Sequence, residues 1–391
     1  MGIVKILSCT HSNAISVSEA ELSGLSRKGS IQQGLEGDLV VLDVQTSVQD
    51  LITDGGWNVR GRQAKVHETY ENDSRISPNL YPYILRKLTL KMCPAPVNDS
   101  NPRGFIIPIG GGEDREKEMQ IHRKFVELSG GVNADIVVIP TASQLERTGP
   151  DYNAIFRELG AGKVEFLPIT NRADCDNPDF AKMLDRATGI FMTGGNQLRL
   201  STIIGGTLVA QKIRRQNAAG VPVAGTSAGA SIMSEHMIAG GASNTAPAED
   251  SVNLAPGMGL TNAVIIDQHF TQRNRLGRLL AASSYNPFLT GLGIDEDTAA
   301  FISADNVLEV VGSGTVTVVD ASALTYSSMW QAGRGEALSL LGLKIHVMGE
   351  GCRYDLTNHF AYPPVEHTAF CSIPSVNNEA YAKGHTAKEN S

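Results

Sequence analysis

The sequence predicts an α/β fold with a mostly parallel sheet and helices on both of its faces. Between residues 105 and 226, five short apolar runs alternate with stretches of helical pattern. Such alternation is typical of parallel strands joined by right-handed crossovers. Glycine-rich turns end three of the runs, at 110–112, 194–195 and 225–229. Because ligands of these sheets bind beyond the carboxyl ends of the strands, the turns indicate where a site is expected.

The elements follow from hydrophobic periodicity and turn residues. Predicted strands of the sheet lie at 105–109, 135–139, 164–169, 189–192 and 221–224, and predicted helices at 121–128, 152–159, 180–184 and 198–216. Gly205-Gly206 interrupts the last helix. Further strands at 264–267 and 290–294 flank a basic helix at 272–284, and a C-terminal β-meander is predicted at 298–303, 306–311 and 315–320.

A chain of 391 residues has room for more than one unit. The N-terminal segment has a predicted strand at 39–44 and an apolar run at 83–90 whose pattern does not distinguish helix from strand, and these elements do not define its fold. Three prolines among residues 94–102 indicate a linker. The predicted parts are an accessory N-terminal segment at 1–100, a main domain at 101–350 and a C-terminal extension at 351–391.

Composition excludes several classes of protein. A net charge of −8 disfavours a nucleic-acid partner. Five scattered cysteines without a C-x-x-C pair predict neither a disulfide framework nor a metal site. No apolar run is long enough for a membrane span, and the start of the chain lacks a secretory signal pattern, so a cytoplasmic protein is expected. The turn at 110–112 lacks the lysine of a phosphate-binding loop, and no cofactor is expected.

The segment Gly225-Thr-Ser-Ala-Gly229 fits the G-x-S-x-G pattern. In that pattern a serine lies on a sharp strand-to-helix turn with its hydroxyl exposed above the sheet. Ser227 would be the nucleophile, and residues 228–231 would open the helix. The alternative is an ordinary turn of small residues. A nucleophilic serine also needs a histidine and a carboxylate.

His269 is the strongest candidate for the general base, because it ends the strand at 264–267 at the same predicted sheet edge as Ser227. A structural histidine is the alternative. For the acid, Asp295, Glu296 and Asp297 all follow the next strand, and a solvated turn is the alternative. Alternation puts Asp295 and Glu296 on opposite faces, so only one of them can reach His269. The spacing does not say which.

These segments resemble the cyanophycinases, which belong to a serine peptidase family that also contains aspartyl dipeptidase. The motifs are Gly225-Thr-Ser-Ala-Gly-Ala-Ser231, Asp267-Gln-His-Phe270 with Arg273, Arg275 and Arg278, Gly293-Ile-Asp-Glu-Asp-Thr-Ala299, Thr193-Gly-Gly-Asn-Gln197 and Ile109-Gly-Gly-Gly-Glu113. The likeness runs from about residue 105 to about 346 and does not include residues 1–100. It implies a Ser-His-Glu triad at Ser227, His269 and Glu296, and a homodimer or higher homo-oligomer.

The resemblance also implies a substrate. Cyanophycinases act on cyanophycin, a polymer with a poly-aspartate backbone that carries arginine on its side-chain carboxyls, and release β-aspartyl-arginine dipeptides. The guanidinium groups of Arg273, Arg275 and Arg278 suit the carboxylates of such a ligand. Asp267, Gln268 and Gln197 can meet its guanidinium, amine or amide groups. A solvated basic helix face is the alternative for the arginines.

An oxyanion hole is expected beside the serine. The N–H of Ala228 directly follows the nucleophile, and a second donor is expected from the Gly194-Gly195 turn, at Gly195. Two other functions stay open at this point: a dipeptidase for α- or β-aspartyl peptides that does not act on the polymer, and a non-catalytic binding module that kept the fold.

Overall fold

The computed structural model describes residues 93–97, 102–244 and 246–365 in full, together with the backbone of five short strands before residue 71. The chain divides into two compact units, Met1–Met92 and Cys93–Ser391. The first contains an antiparallel sheet of β1 (Val4–Ser8), β2 (Leu39–Asp43) and β5 (Val66–Tyr70), and a pair formed by β3 (Ile52–Thr53) and β4 (Gly56–Trp57). The strand predicted at 39–44 is confirmed. The apolar run at 83–90 lies outside the described residues.

The second unit is organised around a nine-stranded mixed sheet. In spatial order its strands are β22 (Phe360–Tyr362), β21 (Arg353–Asp355), β16 (Val307–Gly312), β15 (Thr298–Ile302), β6 (Ile106–Ile109), β10 (Val223–Thr226), β9 (Gly189–Met192), β7 (Asp135–Ile139) and β8 (Lys163–Phe166). The five strands from β6 to β8 are parallel, and the other four are antiparallel. The predicted α/β class and its five parallel strands are confirmed. Strands β21 and β22 were not predicted, and the predicted boundary at residue 350 falls before these two strands of the same sheet.

Helices cover both faces of this sheet. The helices of this unit are α1 (Gln120–Leu128), α2 (Thr148–Glu158), α3 (Pro178–Arg186), α4 (Gln197–Ile204), α5 (Leu208–Ala218), α6 (Ala228–Ser231) and α7 (Leu276–Tyr285), with 3₁₀ turns at Gly131–Asn133, Arg172–Asp176 and Thr271–Arg273. Of these, α7 packs on the smaller sheet described next and not on the nine-stranded one. Along β7, Ile136 and Val138 belong to one apolar cluster and Val137 and Ile139 to another, as expected for side chains that alternate across a sheet with two buried faces. The predicted break at Gly205-Gly206 separates α4 from α5.

A second, four-stranded sheet lies in the same unit. Its order is β13 (Val264–Gln268), β14 (Thr290–Ile294), β17 (Val316–Asp320) and β20 (Lys344–Met348), with β13 and β14 parallel. This corrects two expectations. The strand before His269 is not in the sheet that carries Ser227, and the predicted three-stranded meander is divided. Strands β15 and β16 pair in the large sheet, whereas β17 pairs with β14. The chain crosses between sheets at Asp295–Asp297, where the positive φ of 50° at Asp297 makes a sharp turn.

Short hairpins complete the unit: β11 (His236–Gly241) with β12 (Val252–Pro256), and β18 (Tyr326–Ser327) with β19 (Leu340–Leu341). None of the helices in the described part of the chain has the length and apolar character needed to cross a membrane.

Candidate active site

Ser227 lies on a strained turn between β10 and α6. Its φ of 50° and ψ of −107° are uncommon for a residue with a side chain. The turn is possible because its flanks are glycines: a Cβ on Gly225 would lie 2.4 Å from the carbonyl oxygen of Gly229, and one on Gly229 would lie 2.3 Å from that of Met192. The N–H of Ser227 donates to the carbonyl of Ile109 at 2.9 Å. Such strain in a well-supported turn is frequent at functional sites.

The structure brings Ser227, His269 and Glu296 together in one hydrogen-bonded chain. The distance from Ser227 Oγ to His269 Nε2 is 2.9 Å, and that from His269 Nδ1 to Glu296 Oε1 is 2.6 Å. His269 follows β13, and Glu296 lies in the crossing between the two sheets. In this order, a carboxylate orients an imidazole that can take the proton of the hydroxyl.

The three consecutive acids have different partners. Asp295 is buried and accepts hydrogen bonds from the backbone N–H and hydroxyl groups of both Thr271 and Thr315, so each of its two oxygens has two donors. Asp297 accepts from the N–H of Asp114 at 2.8 Å and the hydroxyl of Ser313 at 2.7 Å. Only Glu296 contacts His269 among the three. Of the three acids, Glu296 is therefore the one whose carboxylate faces the imidazole, while Asp295 and Asp297 are held by other groups.

A wall of three glycines, Gly110 to Gly112, lies against the imidazole and the glutamate. A Cβ on Gly111 would lie 2.3 Å from Cε1 of His269, and one on Gly112 would lie 3.0 Å from Oε2 of Glu296. Gly110 accepts a hydrogen bond from the N–H of His269 at 2.8 Å. The sequence predicted a turn at these residues but not their contact with the imidazole. The sequence feature that could have indicated this contact is the absence of side chains at three consecutive positions after a strand.

The surroundings of His269 favour its neutral form. Burial lowers its pKa below the ordinary value of 6.5, and the positive charges of Arg273 and Arg275 act in the same direction. The hydrogen bond and charge of Glu296 oppose this shift without overcoming it. A neutral imidazole at neutral pH is the form that can act as a base.

Two residues expected to contact substrate are instead engaged with each other. Asp267 is fully buried and receives two hydrogen bonds from Arg278, Nε to Oδ2 at 2.6 Å and Nη2 to Oδ1 at 2.5 Å. Arg278 is itself only 3% exposed. A bidentate pair of this kind satisfies both charges internally. This corrects the expectation that Asp267 and Arg278 meet the ligand directly.

The remaining expected binding residues lie nearer to Ser227 or to solvent. Gln268 points Oε1 to within 3.4 Å of Ser227 Oγ, and the Nη1 of Arg275 donates to that same Oε1 at 3.1 Å and to the Gln268 carbonyl. Arg273 is exposed. Gln197 begins α4 and donates to the carbonyl of Ala239 at 3.0 Å. Arg273 is thus the most solvent-accessible of the three arginines.

The two residues of the expected oxyanion hole differ in position. Ala228 begins α6 directly after the serine, where the first N–H groups of a helix lack intrahelical partners. In the second turn, Gly194 lies against Ser227, since a Cβ on this glycine would be 3.4 Å from the Cβ of Ser227. Gly195 has a φ of 144° and passes close to the Ala142 carbonyl. Their oxyanion role stays a prediction.

Among the described residues, no group of three or more His, Cys, Asp or Glu side chains could hold a metal ion.

A serine on a strand-to-helix elbow, hydrogen-bonded through a histidine to a carboxylate, is the arrangement of a serine hydrolase.

The chain belongs to peptidase family S51, whose family model matches residues 106–310, and the predicted family is confirmed. A cyanophycinase of Synechococcus elongatus is 41% identical over 280 residues, which cover 71% of this chain and 85% of that protein. A cyanophycinase of Geminocystis herdmanii is 41% identical over 260 residues, which cover 66% of this chain and 95% of that protein. Among solved structures, a peptidase from an acI-B1 Actinobacterium has 24% identity and a TM-score of 0.48, covering 65% of this chain and 97% of that chain.

Proposed function

We propose that the protein is a serine exopeptidase that hydrolyses cyanophycin to β-Asp-Arg dipeptides. Ser227 is the nucleophile, His269 the general base and acid, and Glu296 the group that orients the imidazole. The observation that carries the proposal is the unbroken hydrogen-bonded chain among these three side chains. The 41% identity to cyanophycinases supports the choice of polymer.

In the first step, Nε2 of His269 takes the proton of Ser227 while Oγ attacks the scissile carbonyl carbon. The resulting oxyanion accepts hydrogen bonds from the N–H of Ala228 and from the Gly194-Gly195 turn. The imidazolium, stabilised by Glu296, then gives its proton to the leaving amine. In the second step, His269 takes a proton from a water molecule as its oxygen attacks the acyl carbon. The imidazolium then returns this proton to Oγ of Ser227 as the acid product leaves.

The surface around Ser227 suits a substrate with free carboxylates. Arg273 is exposed beside the histidine, so its guanidinium can reach a carboxylate of the ligand without leaving an internal partner. Gln268 presents an amide oxygen next to the nucleophile, where a substrate amine or guanidinium can donate to it. Arg275 holds that amide in place. In this proposal, Asp267 and Arg278 hold the neighbouring residues of the site in place and do not touch the substrate.

The test is the clearing of a cyanophycin suspension by wild type and by Ser227→Ala. Ser231→Ala is the control, because it makes the same substitution at a buried serine four residues further on, at the end of the short helix that Ser227 precedes. We expect wild type and the control to clear the polymer with release of β-Asp-Arg, and Ser227→Ala to be inactive. Equal clearing by Ser227→Ala would refute the serine mechanism. Cleavage of aspartyl dipeptides without clearing would identify the dipeptidase instead.

A cytoplasmic location and a homodimer or higher homo-oligomer are part of this proposal. Both come from the sequence and the family resemblance. Light scattering on the eluate of a size-exclusion column checks the second: a monomer mass at micromolar concentration would contradict it.

A further inference from the structure

A buried carboxylate lies directly behind the nucleophile and has no part in the chemistry above. The side chain of Glu113 has no exposed surface. The hydroxyl of Thr226 donates to its Oε2 at 2.6 Å, and that of Tyr152 to its Oε1 at 2.5 Å. Arg115 donates to Oε1 through Nη2 at 2.9 Å and Nε at 3.2 Å. Both oxygens are thus satisfied by groups from separate parts of the chain.

Glu113 is held in its charged form. Burial alone raises its pKa, but the positive charge of Arg115 and the hydrogen bonds from Thr226 and Tyr152 outweigh burial, and the net shift is downward. Hydrogen bonds to an ionised carboxylate are stronger than those between neutral groups. A charge placed so deeply therefore fixes its donors firmly.

The position of Glu113 connects it with all three members of the triad. Thr226 immediately precedes Ser227, whose positive φ needs support from its surroundings. Glu113 itself immediately follows the glycine wall, which contacts His269 through Gly111 and Glu296 through Gly112. Glu113 thus directly follows the glycines that contact His269 and Glu296, and its carboxylate is hydrogen-bonded to Thr226, the residue before Ser227.

We propose that Glu113 is a positioning residue: through its hydrogen bond with Thr226 it holds Ser227 in the strained conformation, and it fixes the glycine wall against His269. This inference rests on the proposed function. Glu113 touches no reacting atom and acts only through the residues that it holds.

The experiment compares Thr226→Val, which removes the donated hydroxyl at nearly constant volume, with Thr226→Ser, which keeps it. The matched control is Thr207→Val, because Thr207 is also a buried threonine that donates a 2.6 Å hydrogen bond, to the carbonyl of Ile204 at the end of α4. We expect Thr226→Val to lower kcat about 10- to 100-fold with KM changed little, since misplacement of a reacting group by about 1 Å costs about 100-fold. Thr226→Ser and Thr207→Val keep most of kcat.

A second readout separates positioning from loss of folded protein. The rate of inactivation by a sulfonyl fluoride reports the reactivity of the serine hydroxyl at temperatures far below unfolding. It should fall in Thr226→Val and in Glu113→Gln, and stay near wild type in Thr207→Val. If Thr226→Val matches Thr207→Val in kcat and in inactivation rate, the positioning role is wrong. Failure of the proposed function looks different, because Ser227→Ala would then be as active as wild type.

Discussion

Replacing Gly111 with alanine tests whether the glycine wall determines the position of the base. The added Cβ would lie 2.3 Å from Cε1 and 2.5 Å from Nε2 of His269, whereas ordinary contact begins near 3.4 Å. The ring must therefore move by about 1 Å, a displacement that lowers the rate of a positioned reaction about 100-fold. This corresponds to about 2.7 kcal/mol of activation free energy. The φ of 99° at this residue adds backbone strain.

Gly160→Ala provides the control for that strain. Gly160 has a φ of 90°, and a Cβ there would meet nothing within 4 Å. Both variants should lose stability, by about 1–3 kcal/mol for the backbone alone, but only Gly111→Ala should lose kcat. The assays are dipeptide release from cyanophycin at saturating substrate and urea unfolding. If Gly111→Ala keeps the kcat of Gly160→Ala, the wall does not position His269, and the geometric reasoning fails.

Four further predictions concern charges around the site. Glu296→Gln keeps the size of the side chain but removes the charge facing Nδ1 of His269, so kcat should fall roughly 10³- to 10⁴-fold; a loss below tenfold would contradict its orienting role. Since the base must be neutral and its pKa lies below 6.5, kcat/KM should fall as pH drops through that pKa. Arg273→Gln removes a positive charge that lowers this pKa and should move the acidic limb of the profile to higher pH; an unmoved limb would be evidence against that influence. Arg278→Met leaves the Asp267 carboxylate without its bidentate partner and should cost about 3 kcal/mol in urea unfolding, much of it recovered in the double variant with Asp267→Leu.

The parallel half of the large sheet could be predicted from the sequence because its strands, apart from the edge strand β8, are buried on both faces. Every residue from Ile136 to Ile139 is apolar and fully buried, whichever face it points to. For the same reason, the sequence could not show which sheet a strand joins. Val264–Gln268 is as completely buried as the strands of the large sheet, yet it belongs to the other one. Burial is a property of one strand, whereas sheet membership depends on a neighbour distant in sequence.

The candidate site was predictable where a residue follows directly from its strand. Ser227 and His269 each lie at the end of an apolar run. The pairing of Asp267 with Arg278 could not be predicted. In the sequence this aspartate resembles a residue that faces the ligand, and only the structure shows that Arg278, 11 residues further on, donates hydrogen bonds to both of its oxygens. A charged residue beside a catalytic histidine can bind the substrate or hold the site in shape. Only the three-dimensional positions of its partners distinguish these roles.

The two sheets contribute different members of the proposed triad, so the distances within it depend on the contacts between the sheets. Ser227 follows β10 of the large sheet, while His269 follows β13 of the small one, so their 2.9 Å separation depends on how the sheets are held together. The loop after β6 is one of the connections between them. Gly110 and Gly111 leave the large sheet and accept backbone hydrogen bonds at 2.8 and 2.9 Å from His269 and Asp297. Since these bonds lie within the site, changes in the outer helices should alter the free energy of unfolding well before they alter kcat, whereas changes in this loop should alter kcat first.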